Sequence, residues 1–187
     1  MRKVVLFLHQ SLDGYCGTLE GGLEWIPYNE ALQNHADRLV QSVGSAMYGR
    51  VTYEMMKSHW SGVLKDPTAT EYEKKHALWY DKIEKIVFST TLTEEGGNTT
   101  VIGDNVEEEV KKLKEKDGKD LVIFGSPTLA RSLMSMNLID EFQFTVSPVI
   151  LGKGKTFMRS IDVRVNLELL STEQLEGGVV VLHYRVI

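Results

Sequence analysis

Five consecutive apolar side chains, Val4 to Leu8, set the first pattern in the chain. A continuous run of β-formers suits a strand covered on both faces, because a half-exposed strand alternates apolar and polar positions. Lys85–Ser89 and Leu121–Phe124 repeat this signature, and Ser45–Tyr48 is a shorter version punctuated by Gly49. Between these runs the period changes. Leu32, Ala36, Leu39, Val40 and Val43 recur at helical spacing, which predicts a helix over 29–43. A second helix is expected from Arg50, carrying Tyr53 to Met56. A third follows Pro67 and runs to about Ile83, with Thr68 or Thr70 as its N-cap.

Farther along, Thr100–Ile102 reads as a short strand. Asn105 is placed to cap a charged helix, Val106 to Lys116, closed by Asp117-Gly118. Gly125-Ser126-Pro127 turns the Leu121–Phe124 strand into a helix ending near Asn137, with Ser126 as N-cap and Pro127 at the first helical position. Ile139–Val146 is a further strand. The tail, Asn166 to Leu175 and Val179 to Val186 about Gly177-Gly178, reads as a hairpin. Alternating strands and helices with a terminal hairpin predict an α/β fold: a mostly parallel central sheet, helices on both faces and one antiparallel edge. The stretch from Gln10 to Pro27 resists assignment. A loop that long in a compact domain is commonly functional.

Composition narrows the function. At 187 residues, 42% hydrophobic and 25% charged, the chain is expected to form one domain, 1–187, with no need of disulfide or metal. A formal charge of −5 gives no global attraction for nucleic acid or anionic lipid. The opening apolar run is too short for a signal sequence or membrane span. The single cysteine, Cys16, cannot form an internal disulfide, so a cytoplasmic setting is expected. Neither a metal-ligand nor a nucleophile-triad pattern surrounds it. The methionines and the Glu107–Lys114 charge pattern read as packing and a solvated helix face.

The candidate chemistry lies where strands end. Gly125-Ser126-Pro127-Thr128 places a helix N-terminus after a buried strand, an arrangement suited to an anion. Gly49-Arg50-Val51-Thr52 does the same and adds a guanidinium and a hydroxyl. Ser89-Thr90 ends a third buried strand. Each turn taken singly is ordinary capping. Together they line one sheet edge and could cradle a pyrophosphate and a ribose phosphate. Neither G-x-G-x-x-G after a strand nor a P-loop is present.

Taken in order, Ser11-Leu12-Asp13-Gly14, Gly49-Arg50-x-Thr52-Tyr53-Glu54, Phe88-Ser89-Thr90, Phe124-Gly125-Ser126, Leu138-Ile139-Asp140-Glu141 and Pro148-Val149-Ile150-Leu151-Gly152-x-Gly154 resemble the dihydrofolate-reductase-like family. The likeness is to the reductase domain of the bifunctional riboflavin-biosynthesis enzyme and its stand-alone bacterial relatives. It spans Val4 to Val186 and implies a three-layer fold that binds NADPH and reduces a small pterin- or ribosylaminopyrimidine-like heterocycle. It implies phosphate contacts at Gly49, Arg50 and Thr52, a ribose 2′-phosphate at Ser89 and Thr90, and pyrophosphate contacts at Gly125, Ser126 and Thr128. A cis peptide at Gly125-Ser126 is left open.

The resemblance sets Asp13 in the loop over the nicotinamide, as turn-former or catalytic group, and Trp25 near the substrate. Glu30 is a candidate acid in the following helix, though in no matching motif. His9, at the end of the first strand, is a candidate substrate contact. No zinc-deaminase signature is visible, so no deaminase portion is expected. Relatives of this kind often pair, and a homodimer is expected to cover the hairpin edge. The rival reading is a nucleotide-binding or sensory module without a competent acid. A hydrolase on this scaffold lacks a visible nucleophile–base pair.

Overall fold

The computed structural model describes residues 1–92, 95–159, 161 and 163–187. Its centre is an eight-stranded sheet. Six strands are parallel: β1 (Val4–Ser11), β3 (Val43–Gly49), β4 (Glu84–Phe88), β5 (Thr99–Ile102), β6 (Asp120–Phe124) and β7 (Glu141–Ser147). The antiparallel edge is the hairpin of β9 (Leu167–Gln174) and β10 (Val180–Val186). The order is β5-β4-β3-β6-β1-β7-β10-β9. The apolar runs of β1, β3, β4 and β6 are buried throughout their centres, as strands covered on two faces must be.

Helices cover both faces. Leu129, Ala130, Leu133 and Met134 of α5 (Pro127–Ser135), with Val110 and Leu113 of α4 (Val106–Glu115), pack on Val4, Leu6, Leu8, Leu121 and Ile123. The opposite face meets α1 (Glu30–Ser42), α2 (Arg50–Val63) and α3 (Glu71–Lys82). There Leu39, Val40, Tyr53 and Tyr80 enclose Phe7, Tyr48, Val122 and Phe124. The three-layer α/β architecture with its antiparallel terminal hairpin is therefore the one expected.

Several local expectations are corrected. The α3 N-cap is Thr70, inside a full capping box with Glu73; Thr68 instead bonds Asp66 in the preceding turn. Asn105 does not cap α4 with its side chain, because it takes a left-handed backbone with φ 48°. The unassigned Gln10–Pro27 stretch holds a short strand, β2 (Tyr15–Gly17), paired with β8 (Lys155–Thr156). Such a pairing joins segments far apart in sequence and too short to show a period. The Gly125–Ser126 peptide is trans.

Candidate functional site at the sheet edge

All six parallel strands present their C-terminal ends to one edge. Gly49 pairs with Phe88, and Gly125 donates its N–H to the Phe7 carbonyl at 2.9 Å. Glycine at 125 meets a conformational need. Its φ is +58°, and Ser126 follows at +48°, so the chain turns sharply before α5 begins.

The N-termini of α2 and α5 converge at this turn. Ser126 is not the side-chain cap the sequence suggested. Its Oγ is 3.1 Å from the backbone N of Gly49 and accepts that hydrogen bond, tying one helix start to the other. Thr52 lies alongside, its methyl 3.9 Å from where a Cβ on Gly125 would stand. Neither α2 nor α5 has a side-chain cap, and neither carries an acid in its first turn. By contrast α1 is capped by Asn29 and begins with Glu30, α3 has its capping box, and α4 opens with three glutamates. Two bare, acid-free N-termini side by side concentrate positive potential and unpaired N–H groups. That donor set fits phosphate oxygens. Thr128 is exposed on the first turn of α5, where its hydroxyl is 3.4 Å from Arg131. The Arg50 guanidinium currently grips Glu54 through two bonds of 3.0 and 2.9 Å, an exposed i,i+4 pair. Such a pair is worth only about 0.3–0.5 kcal/mol and yields readily to a stronger anion.

Ser89 and Thr90 line an open cleft of about 500 Å³ with Leu92, Thr99, Thr100 and Gly103. The Ser89 hydroxyl accepts the N–H groups of Thr91 and Leu92, at 3.1 and 2.9 Å, so it also builds the turn. Hydroxyls dominate this cleft, and no basic residue lines it among the described residues.

The candidate acids lie elsewhere. Asp13 accepts from the Ser11 hydroxyl at 2.6 Å and from the backbone N–H groups of Leu151 and Gly152 at 3.1 and 2.8 Å. The Ser11 bond, then those amides, hold its carboxyl below the usual aspartate range. Asp13 thus staples the loop after β1 to the loop after β7, reinforced by Leu12 N–H to Val149 O at 2.8 Å. Glu30 is exposed on the first turn of α1 and makes no hydrogen bond among the described residues. Trp25 donates Nε1–H to Gly22 O at 3.2 Å and packs against Ile26, Leu32, Leu175, Val179 and Val181. Among the described residues no hydrogen bond joins these three.

His9 has partners the sequence did not suggest. Its Nδ1 is 2.5 Å from Thr145 Oγ1, on the neighbouring strand, and its Nε2 is 3.4 Å from the Tyr28 hydroxyl. Removal from water, then the nearby His35, lowers the His9 pKa to about 4, so the ring is neutral. Tyr28 is pushed up to about 12 by removal from water. Strand register could have offered Thr145. Tyr28 reaches His9 through a loop, and no spacing reveals such a contact. Among the described residues no group of three or more His, Cys, Asp or Glu could hold a metal ion, and no helix is long and apolar enough to cross a membrane.

Comparison with known proteins agrees with this architecture. The model of the RibD C-terminal domain matches residues 2–181. The uncharacterized protein YyaP of Bacillus subtilis (strain 168) is 30% identical over 184 residues, covering 98% of this chain and 95% of YyaP. Among solved structures, a putative riboflavin biosynthesis protein from Shewanella sp. PV-4 superposes with a TM-score of 0.74 at 22% identity, covering 99% of both chains. The deaminase/5-amino-6-(5-phosphoribosylamino)uracil reductase of Thermotoga maritima gives 0.70 at 16% identity, over all of this chain but 57% of that one. Dihydrofolate reductase from Enterococcus faecalis, complexed with NADP(H), gives 0.59 at 16% identity over 98% and 96%.

Proposed function

This chain belongs to the RibD C-terminal domain family, and we propose that it is an NADPH-dependent reductase of a small nitrogen heterocycle of the ribosylaminopyrimidine type. Family membership supports an oxidoreductase of the riboflavin-biosynthesis kind. The observation that carries the cofactor reading is the convergence of two uncapped, acid-free helix N-termini at Gly49 and Ser126. Gly49, Arg50 and Thr52, with Gly125, Ser126 and Thr128, hold the phosphates. Ser89 and Thr90 receive the adenosine end in their cleft. The sheet order then places the ends of β4, β3, β6 and β1 in succession, about 14 Å across three strand spacings. An elongated dinucleotide lying along that edge ends beside His9. When bound, the dihydronicotinamide supplies the hydride.

The protein's own part is to orient and to exclude water. The stapled loops at Asp13 hold a fixed wall over the ends of β1 and β7. Neutral His9, with both ring nitrogens engaged by Thr145 and Tyr28, adds no charge beside a neutral heterocycle. The lone free Cys16 supports a reducing, cytoplasmic setting. β9 is exposed along its whole length and its outer edge is unpaired, which favours a homodimer through that edge. A second reading, nucleotide binding without catalysis, draws on the commitment of Asp13 to its turn.

The test is a melt of the protein with NADPH or NADH. A ligand specific for the folded state adds about 2.7 kcal/mol at a hundred times its dissociation constant. NADPH stabilisation followed by NADPH oxidation with 5-amino-6-(5-phosphoribosylamino)uracil supports the reductase. Stabilisation with no oxidation across nitrogen heterocycles favours the binding module. No response to either nucleotide overturns both.

A further inference from the structure

A reduction needs a proton as well as a hydride, and of the two acids singled out by sequence one is held by its turn and the other makes no hydrogen bond among the described residues. Asp13 is ionised and bound by Ser11, Leu151 and Gly152, while Glu30 stands exposed on α1. Between the end of β1 and the start of α1, the structure instead builds a chain of three side chains. Thr145, fully buried, lies 2.5 Å from His9 Nδ1, and His9 Nε2 lies 3.4 Å from the Tyr28 hydroxyl. Tyr28 is 55% exposed, so the residue sits at a surface that a ligand can reach.

Its backbone is held from both sides. The N–H of Tyr28 donates to Ile26 O at 2.9 Å. The next residue, Asn29, caps α1 through Leu32 N and donates its Nδ2–H to Glu176 O at 2.9 Å, in the hairpin turn. His9 stands two residues beyond Phe7, which pairs with Phe124 at the end of β6, so it lies at the same sheet edge as the Gly125-Ser126 turn. It is carried on the strand next to the one that leads into the phosphate cradle, where the reacting end of the cofactor falls in the reading proposed above.

We propose that Tyr28 supplies the proton of the reduction, with His9 and Thr145 as the residues that position its hydroxyl. This rests on the reductase reading. The substrate class it favours carries a C=N bond whose nitrogen approaches Tyr28. Hydride from the dihydronicotinamide adds to the carbon, the π pair moves to nitrogen, and nitrogen takes the proton from Tyr28 Oη. The phenolate recovers a proton from water. For this, Thr145 donates to His9 Nδ1 and the Nε2–H of His9 donates to the Tyr28 oxygen. The tyrosine's own O–H is then free to point outward to a ligand, and the phenolate formed is met by a hydrogen bond. A tyrosine hydroxyl is protonated through the neutral range, so it holds a proton to give.

The experiment compares wild type, Tyr28→Phe and Thr145→Val. NADPH-induced melting shifts test cofactor binding, and all three proteins are expected to keep them. With NADPH and 5-amino-6-(5-phosphoribosylamino)uracil, Tyr28→Phe is expected to lose at least tenfold in kcat with KM little changed. Thr145→Val is expected to lose less and to alter the pH profile. A readout without turnover is the ring 15N signal of His9. In Tyr28→Phe it should no longer respond to added 5,6-diaminouracil. If wild type binds NADPH and turns over but Tyr28→Phe matches it in rate, Tyr28 is not the donor. If wild type binds no NADPH, the reductase reading itself fails and this assignment falls with it.

Discussion

Ser126 leaves its own helix uncapped and accepts the backbone N–H of Gly49 at 3.1 Å. A residue suited to capping α5 thus fixes the start of α2, and the first turn of each helix is left free for an external anion. Substitution separates the two effects. Ser126→Ala strands a partly buried N–H, at a cost of about 1–3 kcal/mol. Ser126→Gly loses the same bond but relieves a left-handed conformation that costs a non-glycine residue roughly 1–2 kcal/mol. Urea denaturation should therefore rank Gly above Ala, with wild type well above Ala. A lower stability for the Gly variant than for Ala would contradict this account.

Arg50 separates folding from binding. Its pair with Glu54 is exposed, so Arg50→Ala should change stability by less than about 0.5 kcal/mol. The same variant should lose most of the NADPH-induced rise in Tm. Glu54→Ala releases the guanidinium and should keep or increase that rise. Melts of the three proteins across an NADPH series check both statements.

Asp13 ties the loop after β1 to the loop after β7, and its pKa is depressed in the folded state. A depressed carboxylate contributes above its unfolded pKa and loses that contribution as pH falls through the folded value. The loops should therefore stay closed at neutral pH and loosen in acid, below the ordinary aspartate range. Asp13→Ala should show the loosened state at pH 7. Hydrogen exchange at Leu151 and Gly152 is the measurement, and unchanged protection there would rule out the clamp.

Burial lowers the pKa of both His9 and His76 to about 4. The folded state then binds fewer protons than the unfolded state between pH 6.5 and 4. Stability is full above pH 6.5 and falls as pH drops through that window, by roughly 1.4 kcal/mol per pH unit for each ring. Among the described residues His76 Nδ1 has no partner, and the ring stacks on Trp60 at 4.6 Å. His76→Phe should therefore match wild type near pH 7 and exceed it at pH 5. Denaturant melts at the two pH values decide the matter.

The sheet was legible in sequence because its central strands are buried on both faces and so read as unbroken apolar runs, as in Val4–Leu8 and Leu121–Phe124. Thr70 was legible as a cap because capping chemistry is local. The glycines and hydroxyls at the strand ends could be picked out for the same reason: each belongs to a strand–turn–helix unit. What stayed hidden depends on distant partners. Ser126 has the composition of an N-cap, and only the neighbouring strand shows where its hydroxyl goes. Asp13 looks the same whether it serves a turn or a reaction until Leu151 and Gly152 are seen to bind it. Tyr28, in a loop between Pro27 and Asn29, gave no periodic or motif signal of its contact with His9.

The position of β1 governs how the chain can assemble. Its Val5 lies between Val122 of β6 and Glu141 of β7, so both lateral partners of the first strand are made long after it. On the ribosome, β1 waits unpaired until β6, which begins only at Asp120, has emerged. Its apolar run is a hazard for aggregation over that interval. Closure of the sheet also depends on contacts of high sequence separation, which slow folding. The strand that carries His9 to the site thus finds its place only once β6 and β7 are made.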